Sequence, residues 1–110
     1  MSQQYKELVA GRWRQLTFLE QMANIGSEVE RALNWKAKEN PEYSRRAFER
    51  ALELIDLTLD NTAAIVRLRE LARLREAMVD SFTGTNQFGS TEASWRKYFL
   101  AFTFSARRRY

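Results

Sequence analysis

Apolar residues recur along this chain every three to four positions, the period of helices that bury one face. At 100° per residue, Phe18, Met22, Ile25, Gly26, Val29, Leu33 and the stem of Lys36 share one side, predicting a helix over about 17–38. Gly26 falls inside that stripe, where glycine costs about 1 kcal/mol against alanine, so another helix is expected to approach closely there. Asn40 and Pro41 form the clearest break. Asn40 suits a cap, and Pro41 suits the first helical position, where its missing N–H is not needed. A second helix over about 41–59 follows, with Ala47, Phe48, Ala51, Leu52, Leu54, Ile55, Thr58 and Leu59 as its apolar stripe and Glu49, Glu53 and Asp56 opposite.

Asp60, Asn61 and Thr62 make a short connection to a third helix over about 63–82, buried through Leu68, Leu71, Ala72, Met78, Val79 and Phe82. Residues 83–89 read as a loop. Ser90 or Thr91 then caps a fourth helix ending near 107, with Trp95, Tyr98, Phe99, Phe102 and Ala106 on one face. Residues 1–16 form a lead-in in which Gly11 interrupts the spacing of Tyr5, Leu8, Val9, Trp13 and Leu16, so a short helix and an ordered arm both fit. The whole predicts one all-α domain of 110 residues, an up-and-down four-helix bundle over 17–107.

Composition narrows the chemistry. The chain has no cysteine and no histidine, which removes disulfides, thiolate metal sites, the commonest zinc ligand and the commonest general base. Glu49, Glu53, Asp56 and Asp60 do not make a di-iron site, since that pattern needs Glu-x-x-His motifs on facing helices. No cofactor, metal or catalytic residue is assigned, and no hydrolytic activity is expected. No apolar run approaches a bilayer span and no signal segment is evident, so a soluble, cytoplasmic protein is expected.

Three surfaces stand out. The last helix is apolar on two sides, with Leu100 and Phe104 opposite the main stripe, which points to self-association as a homodimer or higher oligomer. Trp35 and Leu57 lie off their own stripes and are candidates for the same interface, or else cover a core edge. Arg75 sits within the third helix's apolar face and calls for a buried carboxylate, Glu28 or Glu30. The net charge is +4. Arg45, Arg46 and Arg50, Arg69 and Arg73 (with Arg67 beside them), and Arg107, Arg108 and Arg109 are candidate phosphate contacts, although Glu70, Glu76 and Asp80 interrupt them. The loop over 86–91 leads into a helix N-terminus, where free N–H groups can take an anion.

The stretches ANIGSEVERALNW at 23–35 and AFERALELIDLT at 47–58, with RLREL at 67–71 and the loop at 86–95, resemble a family of small, uncharacterised prokaryotic helical proteins. The helical arrangement is also similar to the HEPN class of bundles, which dimerise and often accompany nucleotidyltransferases. That likeness implies a protein partner of the nucleotidyltransferase type. The catalytic motif of the class, an Arg followed by a His, has no counterpart here because there is no histidine. The leading expectation is a non-enzymatic interaction protein acting as a homo-oligomer, and the alternative is a nucleic-acid-binding protein with an arginine-rich surface.

Overall fold

The computed structural model describes residues 3–107, as five helices: α1 (Gln3–Gln15), α2 (Phe18–Ala37), α3 (Pro41–Asp60), α4 (Ile65–Thr83) and α5 (Glu92–Arg107). The all-helical expectation holds, and the lead-in is a helix in its own right.

Gly11 does not break α1, because the helix is anchored beyond it. Trp13 is buried, and its indole N–H donates to Thr58 Oγ1 at 2.9 Å. The Thr58 hydroxyl donates in turn to the Leu54 carbonyl at 2.7 Å. Gln21 Nε2 donates to the Trp13 carbonyl at 2.9 Å, which also accepts from Leu16 N–H at 3.1 Å. One tryptophan therefore ties α1 to both α2 and α3.

α2 opens on a reciprocal cap. Glu20 N–H donates to Thr17 Oγ1 at 3.1 Å, and Thr17 N–H donates to Glu20 Oε1 at 2.8 Å. It closes on the paired hydrogen bonds of a left-handed helix terminus. Asn40 N–H reaches the Trp35 carbonyl at 2.9 Å, Glu39 N–H reaches Lys36 at 3.0 Å, and Glu39 sits at φ 59°. Asn40 then caps α3 by accepting from Tyr43 N–H at 3.1 Å, with Pro41 at the first position. Two helices are thus turned back on each other with almost no loop.

The core gathers Met22, Ile25, Val29 and Leu33 of α2, Phe48 and Ile55 of α3, Leu71, Leu74 and Met78 of α4, and Trp95 and Phe99 of α5. α2 packs most extensively, against α3 on one flank and α5 on the other, while α4 packs on α3. Against α3 the approach is close enough for the buried Ser44 hydroxyl to donate to the Ala32 carbonyl at 2.8 Å. Against α5 it is closer still. A Cβ built on Gly26 would stand 2.7 Å from Cβ of Phe99 and 2.8 Å from its Cγ. Phe48 stacks on Phe82 at 4.9 Å, joining the start of α3 to the end of α4, which makes those helices antiparallel. Arg96 near the start of α5 bonds Glu30 near the end of α2, and Phe18 at the start of α2 meets Phe102 late in α5, so these two are antiparallel as well.

The α4 stripe differs from the expected one. Leu71, Leu74 and Met78 are buried, whereas Ala72 is exposed. With three buried positions at spacings of three and four, the stripe centres between Leu74 and Leu71. That leaves Arg75 about 70° to one side and Ala72 roughly opposite, by the 100° helical step.

Two stability outcomes follow. Gly26→Ala adds helix propensity worth about 1 kcal/mol, but the methyl meets Phe99 at its backbone end, which no rotamer change can clear. Overpacking of this kind costs about 1–3 kcal/mol, so thermal denaturation should show a fall of several degrees rather than a gain. Glu39→Gly should do the reverse. Relief of a left-handed residue, about 1–2 kcal/mol, exceeds the added chain entropy of glycine, about 0.5–1 kcal/mol. Urea titration should show a modest rise in midpoint with an unchanged slope.

Candidate functional site

The fold presents charged, basic-aromatic and apolar surfaces, and they do not coincide. The charged groups form ion pairs within helices and between neighbouring ones. Arg75 Nε donates to Asp56 Oδ1 at 2.9 Å across α3 and α4, both side chains about half exposed. Glu28 is held by Arg31 at 2.8 Å and stands 3.5 Å from Arg50 Nε, while Glu30 is bound by Arg96 at 2.8 Å. The expected buried pairing of Arg75 with Glu28 or Glu30 is therefore incorrect. Arg75 lies at the edge of its stripe and reaches the nearest α3 carboxylate instead. An exposed pair of this kind contributes about 0–1 kcal/mol. Glu28 is the most covered of these carboxylates, its side chain 15% exposed, and its two arginines come from α2 itself and from α3.

The turn between α2 and α3 gathers an aromatic and basic surface. Trp35 and Tyr43 meet ring to ring at 4.9 Å and 80°, with Lys38 Nζ 5.2 Å from the Trp35 centroid and the Arg46 guanidinium 5.6 Å from that of Tyr43. Arg46 engages Glu42 at 2.8 Å, and Arg45, exposed on another side of α3, engages Glu49 at 3.8 Å. At the opposite end of α3, a cleft of about 320 Å³ is lined by Arg14, Phe18, Gln21, Asn61, Thr62 and Arg67, with Arg67 stacked 4.4 Å over the Phe18 ring. Here α4 begins without a side-chain cap or an acidic residue in its first turn.

The third surface is the outward side of α5. Leu100 is 65% and Phe104 is 61% exposed, one turn apart. Exposed Ala93, Lys97 and Ala101 border them. Of the four expected interface residues, only these two are largely exposed. Leu57 packs against the core, the core-edge alternative, and Trp35 is partly buried against Tyr43. Among the candidate phosphate contacts, Arg45, Arg46 and Arg50 are exposed on α3, and Arg69 and Arg73 on α4. Arg108 and Arg109 lie outside the described residues, as does the side chain of Arg107.

The loop before α5 is not an open anion cradle. The Asp80 carboxylate accepts from Gln87 and Phe88 N–H at 2.8 and 3.1 Å, and Asn86 Oδ1 takes Ser90 N–H at 2.9 Å. Thr91 and Ser94 cap the helix reciprocally, at 3.0 and 2.8 Å. The N–H groups of Gln87, Phe88, Ser90, Thr91 and Ser94 are thereby already engaged. This clamp holds Phe88 outward at 63% exposure, a feature sequence reading missed although Asp80 ahead of a Gly-rich loop could have signalled it. Ile65 and Val66, exposed in the first turn of α4, were also missed.

No family model, curated protein or solved structure matches this chain.

Among the described residues, the Tyr98 phenol departs from its ordinary behaviour. Burial pushes the Tyr98 phenol well above its usual range of about 10, and the Glu70 carboxylate adds to the shift. The phenol therefore stays protonated at neutral pH and is no base there. Because the folded state holds this proton more tightly than the unfolded chain, its contribution is complete below about pH 10 and is lost as pH rises above that. Comparing wild type with Tyr98→Phe by chemical denaturation from pH 8 to 11 should show the wild type losing stability more steeply above about pH 10.

Proposed function

We propose that this protein is a non-enzymatic helical interaction module, with α2–α5 as an up-and-down bundle, that pairs with a second copy through the outward side of α5. The observation that carries this reading is Leu100 and Phe104 standing exposed one turn apart on a helix whose other side is already buried in the core. A helix with a single packing duty has no need of two apolar sides. The lack of any histidine or cysteine supports the non-enzymatic part.

Helix dipoles support a second copy as the occupant. Two copies of α5 laid antiparallel about a two-fold axis would set their dipoles in favourable opposition. Exposed Ala93 and Ala101 leave room for close approach along the seam.

Magnitudes set the expected strength. Full burial of a Leu or Phe side chain yields about 1.5–3 kcal/mol, and four such side chains, each roughly two-thirds exposed at the start, give about 4–8 kcal/mol. Association costs of similar size oppose that gain, so the net is at most about 4 kcal/mol and the pair is weak, dissociating at about millimolar concentration. Sedimentation velocity should show the mass rising toward a dimer as concentration rises from the high micromolar into the millimolar range. Leu100→Glu would set two carboxylates across the axis and should weaken the pair at least 100-fold, with the helical signal and melting temperature unchanged. A wild type that stays monomeric throughout, or a Leu100→Glu variant that still pairs, would overturn the proposal.

A further inference from the structure

We propose that the turn between α2 and α3 binds single-stranded nucleic acid, with Trp35 and Tyr43 stacking on bases and Lys36, Lys38, Arg45 and Arg46 meeting phosphates. This surface is separate from the outward side of α5, and the inference does not depend on self-association.

Trp35 and Tyr43 are large aromatic residues that the core does not use. Tyr43 is 44% exposed and Trp35 is of intermediate exposure, while Trp13 and Trp95 are each 6% exposed within the core. The two rings meet at 80° with centroids 4.9 Å apart. Cations already sit over both rings, Lys38 at 5.2 Å and Arg46 at 5.6 Å. Aromatic faces interleaved with mobile cations are the combination that takes unpaired bases without regard to sequence.

The platform is rigid. Trp35 stands in the last turn and a half of α2, where its carbonyl accepts from Asn40 N–H at 2.9 Å. Tyr43 stands in the first turn of α3, fixed by its N–H to Asn40 Oδ1 at 3.1 Å. One residue, Asn40, therefore joins the backbones that carry both rings.

Charge favours an anionic strand over a neutral partner. The four cations of this surface (Lys36, Lys38, Arg45, Arg46) stand against three carboxylates (Glu39, Glu42, Glu49), a surplus of one, while Arg50 faces Glu28. Glu42 and Glu49 engage Arg46 and Arg45 in pairs exposed on both sides, which add little stability and exchange readily for phosphate. So small a surplus does not suit a duplex, whose bases are hidden and whose phosphates dominate affinity.

The test is a titration of labelled oligo-dT and oligo-U 12-mers, read by anisotropy and by tryptophan emission. With Trp13 and Trp95 buried, quenching reports Trp35. At low salt both strands should bind and quench, and affinity should fall with a log–log salt slope of about −2 to −3, as expected for three or four phosphate contacts on a single strand. Trp35→Ala and Tyr43→Ala should each weaken binding about 5- to 150-fold. Trp35→Phe should keep most of the affinity, and Arg69→Ala on α4 should leave it unchanged. Far-UV circular dichroism of each variant confirms its fold. Absence of binding at 100 µM protein in low salt, or binding that is undiminished in folded Trp35→Ala and Tyr43→Ala, would overturn the assignment. So would equal affinity for a duplex of the same length.

Discussion

The contact between Gly26 and Phe99 is the constraint on which the arrangement turns. A missing side chain at the middle of α2 lets α5 come within van der Waals distance of the α2 surface, with the Phe99 ring lying where a Cβ would otherwise project. Helix packing of this closeness fixes the roll of α5 as well as its distance. Trp95, Phe99 and Ala106 are directed into the core, and by helical periodicity Leu100 and Phe104 are then directed out. The exposed apolar strip is thus a consequence of how the other side of the same helix is seated.

α2 carries this role because it is covered on both flanks. Its reciprocal cap at Thr17 and its left-handed terminus at Glu39 fix both ends, while Ser44 and the small residues of α3 close on it from one side and Phe99 from the other. The remaining helices attach to this pair by fewer, specific anchors. α1 is held through Trp13 and the Thr58 hydroxyl, and α4 through the Phe48–Phe82 stack together with its own stripe of Leu71, Leu74 and Met78. The tight turn that ends α2 also places Trp35 and Tyr43 side by side, so the rigidity that orders the fold orders the aromatic surface too.

Much of this was legible in the residues. Gly26 inside an apolar stripe signalled close helix approach, and Asn40 with Pro41 signalled a cap and a first helical position, since both signals come from local backbone chemistry. Leu100 and Phe104 were legible because α5 has an unambiguous main stripe to lie opposite. The ion pairs were not. Periodicity places a charge on a helix face but does not say which neighbouring helix faces it, and an error of one residue in the α4 stripe moved Arg75 from the centre to the edge, where Asp56 rather than Glu28 or Glu30 is in reach. The α1 helix was obscured by Gly11, because its anchor, Thr58, lies 45 residues away. Trp35 read as a residue off its stripe, which was correct, but its partner Tyr43 depends on the geometry of the turn.

The most direct measurement is native-state hydrogen exchange resolved by residue. If the Gly26–Phe99 contact joins α2 and α5 into one cooperative unit, amides at residues 22–33 and 95–102 should be the slowest to exchange. Both sets should then open only with the whole molecule, at the global unfolding free energy and with the same dependence on denaturant. Exchange of α5 through a local opening of low free energy, while α2 stays protected, would contradict the account.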